Sequence, residues 1–596
     1  MLNILLKHHY SLYSERPALR YKNQIYSYEA LYQQSNQFAH YLKSKAVKKG
    51  TIVALISRNY LERIVSIIAL WKLGAAYVPI DPDYPSTRIN YIINDSKVNF
   101  IITDEAIYKK YFLNSSLTAI LLDDKNNKKN TFPKDDLHCN NNVNAIAYIA
   151  YTSGSTGNPK GVPITHSNIA SIYAAWEQIY NLTCLDRHLQ IANFGFDVCS
   201  GDIIRAIASG SQLVICPTEI ILNPEKLYYL LKKNSITIAE FTPVILRKLI
   251  HYLKKEKLDL YFMRLLICGS DTWTLKEYKE IKSYLSPHAR LVNSYGTTEA
   301  TIDSTYFELD ETTSPLNEFS SVPLGKPFPN TKIKILSDKF QECLPGVQGE
   351  IYIGGSGVSQ GYLNQPKLTQ ERFIPLFLKN GKREIFYKTG DIGYYLIDGN
   401  IAFLGRADAQ IKIMGARIEL HEIENNLNNY QTIEKAIVLP HSSLDSTEQF
   451  LVAYIKYTET FKINDYIIFL KNQLPLHAIP IVYFPINFFP ISPHGKIDRL
   501  KLSTFSIYGD KFNSLKKIKN KIQIETHIEK KILETLKKLL NISTLNGNNF
   551  FCINSSFLLR TQFFKNPKVD LNKFSNMHTI HEMSKFLEES AVHKML

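Results

Sequence analysis

The densest group of residues able to hold an anion lies in Tyr151–Gly161, which reads YTSGSTGNPKG and follows the apolar run Ala145–Ala150. Its glycines allow the backbone to curl, so backbone amides, hydroxyl side chains and one lysine can surround a phosphate group. The residues concerned are Thr152, Ser153, Gly154, Ser155, Thr156, Gly157 and Lys160. The GxxxxGK[ST] spacing of a P-loop is absent, so the segment alone is also compatible with an ordinary turn.

Four later segments carry residues suited to nucleotide or carboxylate chemistry. Asn293–Ala300 (NSYGTTEA) places an aromatic ring and a carboxylate in a glycine-bearing turn. Tyr387–Asp391 (YKTGD) ends a predicted strand with an acid that could bind ribose hydroxyls. Gly405–Gly415 (GRADAQIKIMG) and Pro490–Arg499 (PISPHGKIDR) complete an ordered series. The series is a more specific signal than any one of its members.

The elements around the first of these segments alternate between helix and strand. Tyr28–Lys45 and Tyr60–Leu73 have helical apolar spacing, whereas Thr51–Ile56, Val98–Thr103 and Leu265–Gly269 are short apolar runs. Short buried strands that alternate with helices are typical of parallel sheets covered by helices. We therefore predict an α/β fold over most of residues 20–300.

Further along, the pattern changes and divides the chain. Glycine-punctuated strands over 321–405 predict an antiparallel β portion. We predict a core domain over 1–404, a small α+β domain over 405–505, a Lys-rich linker over 506–522 and a small helical bundle over 523–592.

Composition restricts the class of protein. The chain has 596 residues, of which 45% are apolar, with 26 Gly and 25 Pro, so it is neither disordered nor collagen-like. Its seven cysteines form no CxxC pair and no zinc-type cluster, which favours a reducing, cytoplasmic compartment. The most apolar window, Ile64–Ile80, contains Lys72 and is too short to span a membrane.

The net charge of +15 leaves two interpretations open. A basic surface could bind nucleic acid or a membrane surface. The abundance of Lys, Asn, Ile, Tyr and Phe is also what an AT-rich genome produces, and it raises the charge without any partner. We favour this compositional explanation and predict no nucleic-acid and no membrane partner.

The ordered segments resemble the adenylate-forming superfamily, and within it the amino-acid adenylation domains of nonribosomal peptide synthetases. The resemblance spans about residues 10–505 and includes Gly74–Pro85 (GAAYVPIDPDYP), which is typical of the peptide-synthetase branch. It implies ATP-dependent activation of an amino acid to aminoacyl-AMP with release of pyrophosphate. Loading of the residue as a thioester onto a phosphopantetheinyl carrier would follow.

The resemblance also implies roles for residues at the nucleotide. The loop 152–160 would hold the β- and γ-phosphates of ATP, while Thr298 and Glu299 would handle the α-phosphate and Mg²⁺, with Glu299 as the metal ligand. Tyr295 would stack on adenine. The remaining nucleotide contacts implied are Asn293, Asp391 and Arg406.

Two further implied roles belong to the smaller domain. Lys496 would contact both the substrate carboxylate and the α-phosphate of ATP, although a surface lysine is common in so basic a chain. Asp408 matches the hinge at which the family's small domain rotates between its two poses; the alternative is an ordinary loop aspartate.

A substrate pocket is implied by Phe194–Asp197 (FGFD), whose acid pairs with the α-amino group of an amino acid in the family. The matching pocket positions are Asp197, Val198, Gly201, Glu240, Leu266, Cys268, Ser294, Ile302, Asp303 and Lys496. Their residue types resemble the signature associated with ornithine, but depart from it at Leu266 and Cys268. We expect Glu240 and Asp303 to face a second cation on the substrate, with Gly201 leaving room for a long chain. Lysine or another diamino acid remains the alternative.

The C-terminal segment 523–590 resembles a peptidyl carrier domain. In the family two glycines precede the serine that carries 4'-phosphopantetheine, and both are missing here. The acceptor falls on Phe557 without a gap and on Ser556 with a one-residue deletion. Ser556 is therefore the candidate acceptor, and an eroded, unmodified carrier is the competing hypothesis.

Other functions stay open at this stage. An acyl- or aryl-acid CoA ligase shares the fold, and a partly degenerate module could adenylate without loading its own carrier. A scaffold without turnover is a third alternative. The partners implied are the amino acid, a carrier domain in cis or in trans, other synthetase modules and a phosphopantetheinyl transferase.

Overall fold

The computed structural model describes residues 2–124, 128–137, 142–154, 158–309, 320–377, 381–407, 410–413, 415–442, 449–458, 463–491 and 497–503. Contacts divide the chain into two units. The first comprises 1–84, 88–152 and 159–408, and the second comprises 85–87, 153–158 and the described residues after 409. The boundaries at 404, 505 and 522 given above stay predictions.

The described residues form 25 strands, which alternate with helices through the first three hundred residues. The strands are β1 (Pro17–Tyr21), β2 (Gln24–Ser27), β3 (Ile52–Ile56), β4 (Ala76–Pro79), β5 (Phe100–Thr103), β6 (Thr118–Leu121), β7 (Ile146–Thr152), β8 (Lys160–Thr165), β9 (Arg187–Gln190), β10 (Gln212–Ile215), β11 (Ile238–Phe241), β12 (Leu265–Gly269), β13 (Arg290–Tyr295), β14 (Thr305–Phe307), β15 (Lys326–Pro327), β16 (Thr331–Leu336), β17 (Gly349–Gly355), β18 (Phe373–Phe377), β19 (Arg383–Tyr395), β20 (Ile401–Arg406), β21 (Gln410–Ile413), β22 (Ala416–Glu419), β23 (Ile433–Ser442), β24 (Gln449–Tyr457) and β25 (Val482–Pro485).

The helices cover the sheets between these strands. They are α1 (Leu2–Tyr13), α2 (Tyr28–Ser44), α3 (Tyr60–Lys72), α4 (Ser86–Ser96), α5 (Glu105–Tyr111), α6 (His166–Tyr180), α7 (Asp197–Ala208), α8 (Thr218–Ile221), α9 (Pro224–Lys233), α10 (Pro243–Glu256), α11 (Leu275–Ser283), α12 (Pro366–Arg372), α13 (Leu420–Asn428), α14 (Ile463–Lys471) and α15 (Arg499–Ser503). Short 3₁₀ helices occupy Lys128–Thr131, Thr298–Ala300 and Leu476–Ala478.

Two largely parallel sheets form the first unit. One has the order β6-β5-β3-β4-β7-β8, in which only the β7–β8 pair is antiparallel. The other has the order β15-β14-β13-β12-β11-β9-β10-β1-β2, with parallel pairing from β13 to β1 and antiparallel pairs at both edges. The predicted α/β fold is therefore confirmed.

Local sequence explains where several helices begin. Ser27 caps α2 by accepting from the backbone N–H of Ala30 at 3.1 Å. Thr165 and Asn168 form a reciprocal capping box at the start of α6. Such caps satisfy backbone donors that the first turn of a helix leaves without partners.

An antiparallel sheet completes the first unit, as the glycine-punctuated strands predict. Its order is β16-β17-β19-β18, with β20 paired to β19. The β19–β20 register places Asp391 opposite Arg406, so two residues predicted at the nucleotide become direct neighbours.

The second unit is α+β. A two-stranded sheet joins β21 to β22, and a three-stranded sheet has the order β23-β24-β25. Its apolar core contains residues of α13, α14 and the strands, including Ile423, Leu470 and Tyr483. The helical bundle predicted over 523–592 lies outside the described residues. In the described part of the chain, no helix combines the length and apolar character that crossing a membrane needs.

Candidate functional site

The parallel strands of the nine-stranded sheet bring the predicted pocket residues to one edge. Glu240 near the end of β11 lies opposite Ile267, and Cys268 on β12 lies opposite Asn293 on β13. Ser294 follows on β13. Ligands of open α/β sheets bind at the carboxyl ends of the strands, so this edge is the expected position for a site.

Glu299 is fully buried and holds a small polar network. The Tyr362 hydroxyl donates to Glu299 Oε1 at 2.8 Å, and Lys160 Nζ lies 3.6 Å from the same oxygen. Lys160 also donates to the Tyr362 hydroxyl at 3.3 Å. The lysine that the sequence predicts at the phosphates is thus buried beside the acid predicted to bind Mg²⁺. A buried carboxylate needs such compensation.

Tyr295, Asp391 and Arg406 form a second network. The Tyr295 hydroxyl donates to Asp391 Oδ2 at 2.5 Å, and Arg406 Nη1 donates to Asp391 Oδ1 at 2.6 Å. Burial and the neighbouring Asp391 raise the pKa of Tyr295, so it keeps its proton. The structure therefore brings together three residues predicted to contact adenosine.

Asn293 makes two side-chain contacts within the first unit. Its side-chain oxygen accepts from Trp273 Nε1 at 2.8 Å, and its amide nitrogen donates to the Pro323 carbonyl at 2.7 Å. Both ends of the amide therefore stabilise the first unit, and its contact with ATP stays a prediction.

The phosphate-loop residues are described only in part. Thr152 ends β7, and its buried hydroxyl has no hydrogen-bond partner among the described residues. Gly154 marks a tight turn, because a Cβ there would lie 2.0 Å from the Asn158 carbonyl oxygen. Ser153 is described next to it. The other predicted loop residues, Ser155, Thr156 and Gly157, lie outside the described residues.

Asp197 is the first residue of α7, where a helix favours negative charge. Burial raises the pKa of its carboxyl to about 6, against the opposing effect of a hydrogen bond from Thr298. Its Oδ2 is buried with no hydrogen-bond partner among the described residues. A buried carboxylate oxygen without a partner is the feature expected where a ligand supplies a cation.

At the predicted side-chain end of the pocket, the structure adds a cation that the sequence analysis does not include. Glu240 and Asp303 are buried, but the cation that they contact is the chain's own Arg205. Arg205 Nη2 donates to Glu240 Oε2 at 2.5 Å and to Asp202 Oδ1 at 2.7 Å. Arg205 Nη1 lies 3.6 Å from Asp303 Oδ2. The two acids are therefore not reserved for a substrate cation alone.

Aromatic and hydroxyl groups fix this acid cluster, which comprises Asp202, Arg205, Glu240 and Asp303. The Arg205 guanidinium lies 4.7 Å from the ring centre of Trp176, whose Nε1 donates to Asp303 Oδ2 at 2.8 Å. Ser294 Oγ donates to Asp303 Oδ1. Three carboxylates share one guanidinium, so the cluster carries excess negative charge when all are ionised.

Burial shifts the pKa of each acid in this cluster upward. Burial raises the pKa of Glu240 to about 8 and that of Asp202 to about 6, although Arg205 opposes both shifts. Burial also raises the pKa of Asp303. Arg205 keeps its charge, because its acidic neighbours outweigh its own burial and raise its pKa.

Gly201, which is predicted to leave room for a long chain, packs closely against its neighbours. A Cβ at Gly201 would lie 3.2 Å from Ile302 Cδ1 and 3.4 Å from Trp176 Cη2. The glycine thus permits close packing of α7 against these two side chains. The space is already filled at that point.

The turn after β13 is strained where it delivers Ile302 and Asp303. Thr301 and Ile302 have φ angles of 64° and 71°, which branched side chains rarely adopt. Gly296 allows the turn to close, since a Cβ there would lie 1.9 Å from the Ile302 carbonyl oxygen. Strain of this kind concentrates at functional sites.

Leu266 and Cys268, the two departures from the ornithine signature, are fully buried in an apolar cluster with residues of α9 to α11. Burial raises the pKa of the Cys268 thiol, so it is a small apolar side chain here. Val198 packs partly buried against the larger apolar core.

Sequence reasoning missed four residues of these networks, which are Trp176, Asp202, Arg205 and Tyr362. Asp202 and Arg205 did carry a signal, because oppositely charged residues three apart on a helix are neighbours and can form an ion pair. Tyr362 lies 63 positions from Glu299 and had no local signal.

Three predicted residues, Asp408, Lys496 and Ser556, lie outside the described residues. Their roles as hinge, catalytic lysine and phosphopantetheine acceptor stay predictions. Among the described residues, no group of three His, Cys, Asp or Glu side chains is arranged to hold a metal ion by itself.

Comparison with known proteins gives one family and many relatives. A family model described as AMP-binding enzyme matches residues 6–363. Gramicidin S synthase 2 of Brevibacillus brevis is 35% identical over 577 residues, which are 95% of this chain and 12% of that protein. Bacitracin synthase 2 of Bacillus licheniformis is 38% identical over 487 residues, which are 82% of this chain and 18% of that protein. The chain therefore spans less than a fifth of the length of these relatives.

Solved structures share the fold. An artificially fused adenylation–PCP di-domain nonribosomal peptide synthetase from Klebsiella oxytoca matches with a TM-score of 0.70 at 25% identity. The match covers 81% of this chain and 93% of that one. The α/β core, the antiparallel sheet and the small α+β unit thus recur in an adenylation protein.

Proposed function

Because the chain belongs to the AMP-binding enzyme family, and is an ATP-dependent ligase, we propose that it activates an amino acid on ATP and loads it onto a carrier thiol. A carboxylate oxygen of the amino acid attacks the α-phosphorus of ATP. A new P–O bond forms, the bond to the β-phosphate bridge breaks, and pyrophosphate leaves. A phosphopantetheine thiolate then attacks the acyl carbon, and AMP leaves as the thioester forms.

The observation that carries an amino acid as substrate is the buried carboxylate oxygen Oδ2 of the half-buried Asp197. Its Oδ2 has no hydrogen-bond partner within the described residues, and burial makes an unpaired charge there costly. An α-ammonium group would supply the missing cation. Acids without an α-amino group would leave the carboxylate unpaired, which argues against the alternative of an acyl- or aryl-acid CoA ligase.

The nucleotide side combines the two polar networks. Asp391 and Arg406 are assigned to the ribose and Tyr295 to the adenine, while Thr298 is assigned to the α-phosphate. Glu299 is a carboxylate, the ligand type that Mg²⁺ prefers, and it would hold a Mg²⁺ ion that would offset the negative charge of the phosphates. The reaction joins two anions, so positive charge and fixed donors at the phosphates are required.

Lys496 keeps its assigned role of contacting both the substrate carboxylate and the α-phosphate. A lysine in that position would offset the charge that gathers on the phosphorus oxygens as the bond forms. The role rests on the segment PISPHGKIDR and its place in the ordered series.

For the side chain of the substrate we favour a basic diamino acid, with ornithine as the first candidate. Support comes from charge: Asp202, Glu240 and Asp303 share only Arg205 among the described residues. A second cation would reduce the remaining negative charge. Lysine or another diamino acid satisfies the same requirement.

The carrier would be the segment 523–592 in cis, with Ser556 as the phosphopantetheine acceptor, or a carrier of another synthetase module in trans. Loading in cis also requires a phosphopantetheinyl transferase. The missing glycines before Ser556 favour, as the second candidate, a module that adenylates but cannot load its own carrier.

Pyrophosphate exchange across a panel of amino, fatty and aryl acids tests the adenylation step. We expect ornithine or a close diamino acid to give the highest rate, and exchange only with fatty or aryl acids would refute the proposal. Intact mass after incubation with coenzyme A and a phosphopantetheinyl transferase tests Ser556, with Ser556→Ala as the control. An unmodified wild-type chain would leave only loading in trans.

A further inference from the structure

Arg205 lies among the acids that the sequence predicts at the side-chain end of the substrate pocket. It is 1% exposed, and its guanidinium is the common partner of three carboxylates, one each from its own helix, strand β11 and the turn after β13. A cation so placed competes for the positions that a cationic substrate would otherwise occupy.

Its position does not depend on a substrate. Asp202, three residues earlier on α7, accepts from Nη2, and the ring of Trp176 lies against the guanidinium at 4.7 Å. Glu240 accepts from the same nitrogen. Contacts with a helix neighbour, an aromatic face and a strand residue hold a planar guanidinium in one orientation.

Arg205 is also the more deeply buried side of the cluster. Glu240 and Asp303 retain 7% and 5% exposure, against 1% for Arg205. In the proposed pocket, a substrate that enters from the edge of the sheet would reach the two less buried acids first, and the depth available to its side chain would end at the fixed positive charge of Arg205.

Two charge relations then act on the substrate. The three acids outnumber Arg205 when all are ionised, and a compact cation between Glu240 and Asp303 would favour their ionised forms. A longer side chain would bring its own cation against Arg205, and like charges in a buried site repel strongly. Nη1 of Arg205 has no hydrogen-bond partner among the described residues. A guanidinium nitrogen only donates hydrogen bonds, so it cannot accept one from a cationic substrate group.

We propose that Arg205 is a specificity-determining residue, a built-in guanidinium that limits the pocket to a short distal ammonium and excludes longer or guanidinium-bearing side chains. The proposal rests on the amino-acid adenylation proposed above. It assigns the length selection to α7 and to a residue that the sequence signature of the pocket does not contain.

The test is pyrophosphate exchange by the full chain with 2,4-diaminobutyrate, ornithine, lysine and arginine. Wild type is expected to prefer the two shorter acids over arginine by about tenfold or more in kcat/KM. One additional methylene or one misplaced group typically causes a discrimination of this size. Arg205→Ala removes the resident guanidinium. We expect its preference to shift toward arginine by about tenfold, through KM more than kcat.

Two controls separate selection from stability. Arg187→Ala removes an exposed arginine from the same sheet and should leave the preference unchanged. Added guanidinium ion, below denaturing concentrations, should restore the preference of Arg205→Ala for ornithine. If Arg205→Ala does not fold, Arg205→Lys, which keeps the charge and loses the planar fork, must still shift the preference at least about threefold toward arginine.

Several outcomes would overturn the proposal. Equal loss with all substrates in Arg205→Ala would mean a structural role only. Equal use of arginine and ornithine by wild type, or preference for an uncharged side chain, would mean that Arg205 does not select a short cation. Absence of exchange with every amino acid would instead refute the adenylation proposal on which this one rests.

Discussion

Lys160 and Glu299 form a buried ion pair, in which Nζ of the lysine lies 3.6 Å from Oε1 of the glutamate. The sequence places the two residues in different motifs, one in the glycine-rich loop and one in the turn after β13. Their pairing joins the predicted phosphate-binding and metal-binding parts into one electrostatic unit.

We predict that Lys160→Met destabilises the protein by about 3–5 kcal/mol, the cost of leaving a buried charge without its partner. The double variant Lys160→Met/Glu299→Gln removes both charges and should recover much of that loss. Urea unfolding of the two single variants and the double variant gives the coupling energy. If the losses of stability in the two single variants added up to the loss in the double variant, the two charges would not interact. Pyrophosphate exchange should stay low in all three variants.

Asp197→Asn tests the contact to the α-amino group. Removing one charged partner of a buried ion pair typically weakens binding by roughly 2–5 kcal/mol, so the KM for the amino acid should rise by about 30-fold or more. The KM for ATP should change little, because the nucleotide is assigned to other residues. Exchange kinetics with varied amino acid and varied ATP measure the two effects separately.

A matched substrate serves as the control for that variant. Wild type should reject the acid that lacks only the α-amino group, whereas Asp197→Asn should discriminate much less between the two. Unchanged discrimination in the variant would mean that another group binds the α-ammonium.

The acid cluster makes a prediction about pH. Burial raises the pKa of Glu240 to about 8 from 4.5, with Asp303 and Asp202 adding to the rise and Arg205 opposing it. The folded state therefore binds a proton that the unfolded state has released, and this contribution to stability is lost as pH rises through about 8. Tyr180 and Cys268 also face this carboxyl electrostatically.

Glu240→Gln should therefore reduce the fall in the free energy of unfolding between pH 6.5 and 8. This range covers the titration of Glu240 and lies above the pKa values of Asp197 and Asp202, which are about 6. Denaturant unfolding at a series of pH values measures the slope. A variant that declines as steeply as wild type would place the titrating group elsewhere. Asp83→Asn, on an exposed acid, is the control.

The comparison between sequence and structure divides by the range of the interactions. Helix and strand positions follow local periodicity, and the predicted strand Leu265–Gly269 is β12 to the residue. Helix α2 ends at Ser44 against a predicted Lys45. Ser294 lies near the carboxyl end of β13, and Asp197 begins the helix α7 that follows β9. Both residues are thus close to the carboxyl ends of strands in the nine-stranded sheet.

Side-chain partners were less accessible to sequence reasoning, since they depend on packing across elements. Glu240 and Asp303 are predicted to face a substrate cation, and the structure shows that Arg205 on α7 pairs with both acids. Asn293 is predicted to contact ATP, and the structure shows that its amide also bonds to Trp273 and to the Pro323 carbonyl. A motif specifies which residues gather at a site but not which of them neutralise one another.

Lys496 supplies the next prediction. Lys496→Ala should abolish pyrophosphate exchange while leaving the unfolding transition unchanged, because the lysine is assigned to the reacting groups and not to a core. Lys501→Ala, an exposed lysine five positions later, is the matched control and should retain exchange. Unchanged exchange in Lys496→Ala would refute the catalytic assignment.

Gly201 tests the packing of α7 against Ile302, the contact that fixes the helix bearing Asp202 and Arg205. A Cβ at this position would lie 3.2 Å from Ile302 Cδ1, so overpacking in Gly201→Ala should lower the free energy of unfolding by about 1–3 kcal/mol. The helix preference of alanine should offset about 0.5–1 kcal/mol of this loss. Ile302→Val removes the crowded Cδ1 atom. In that background Gly201→Ala should stabilise the protein, because the remaining neighbour, Trp176 Cη2 at 3.4 Å, lies at the limit of ordinary van der Waals contact and the helix preference of alanine outweighs it. Thermal and urea unfolding of the four proteins measure this reversal of sign, and an equal effect of Gly201→Ala in both backgrounds would show that Ile302 does not limit the space above the glycine.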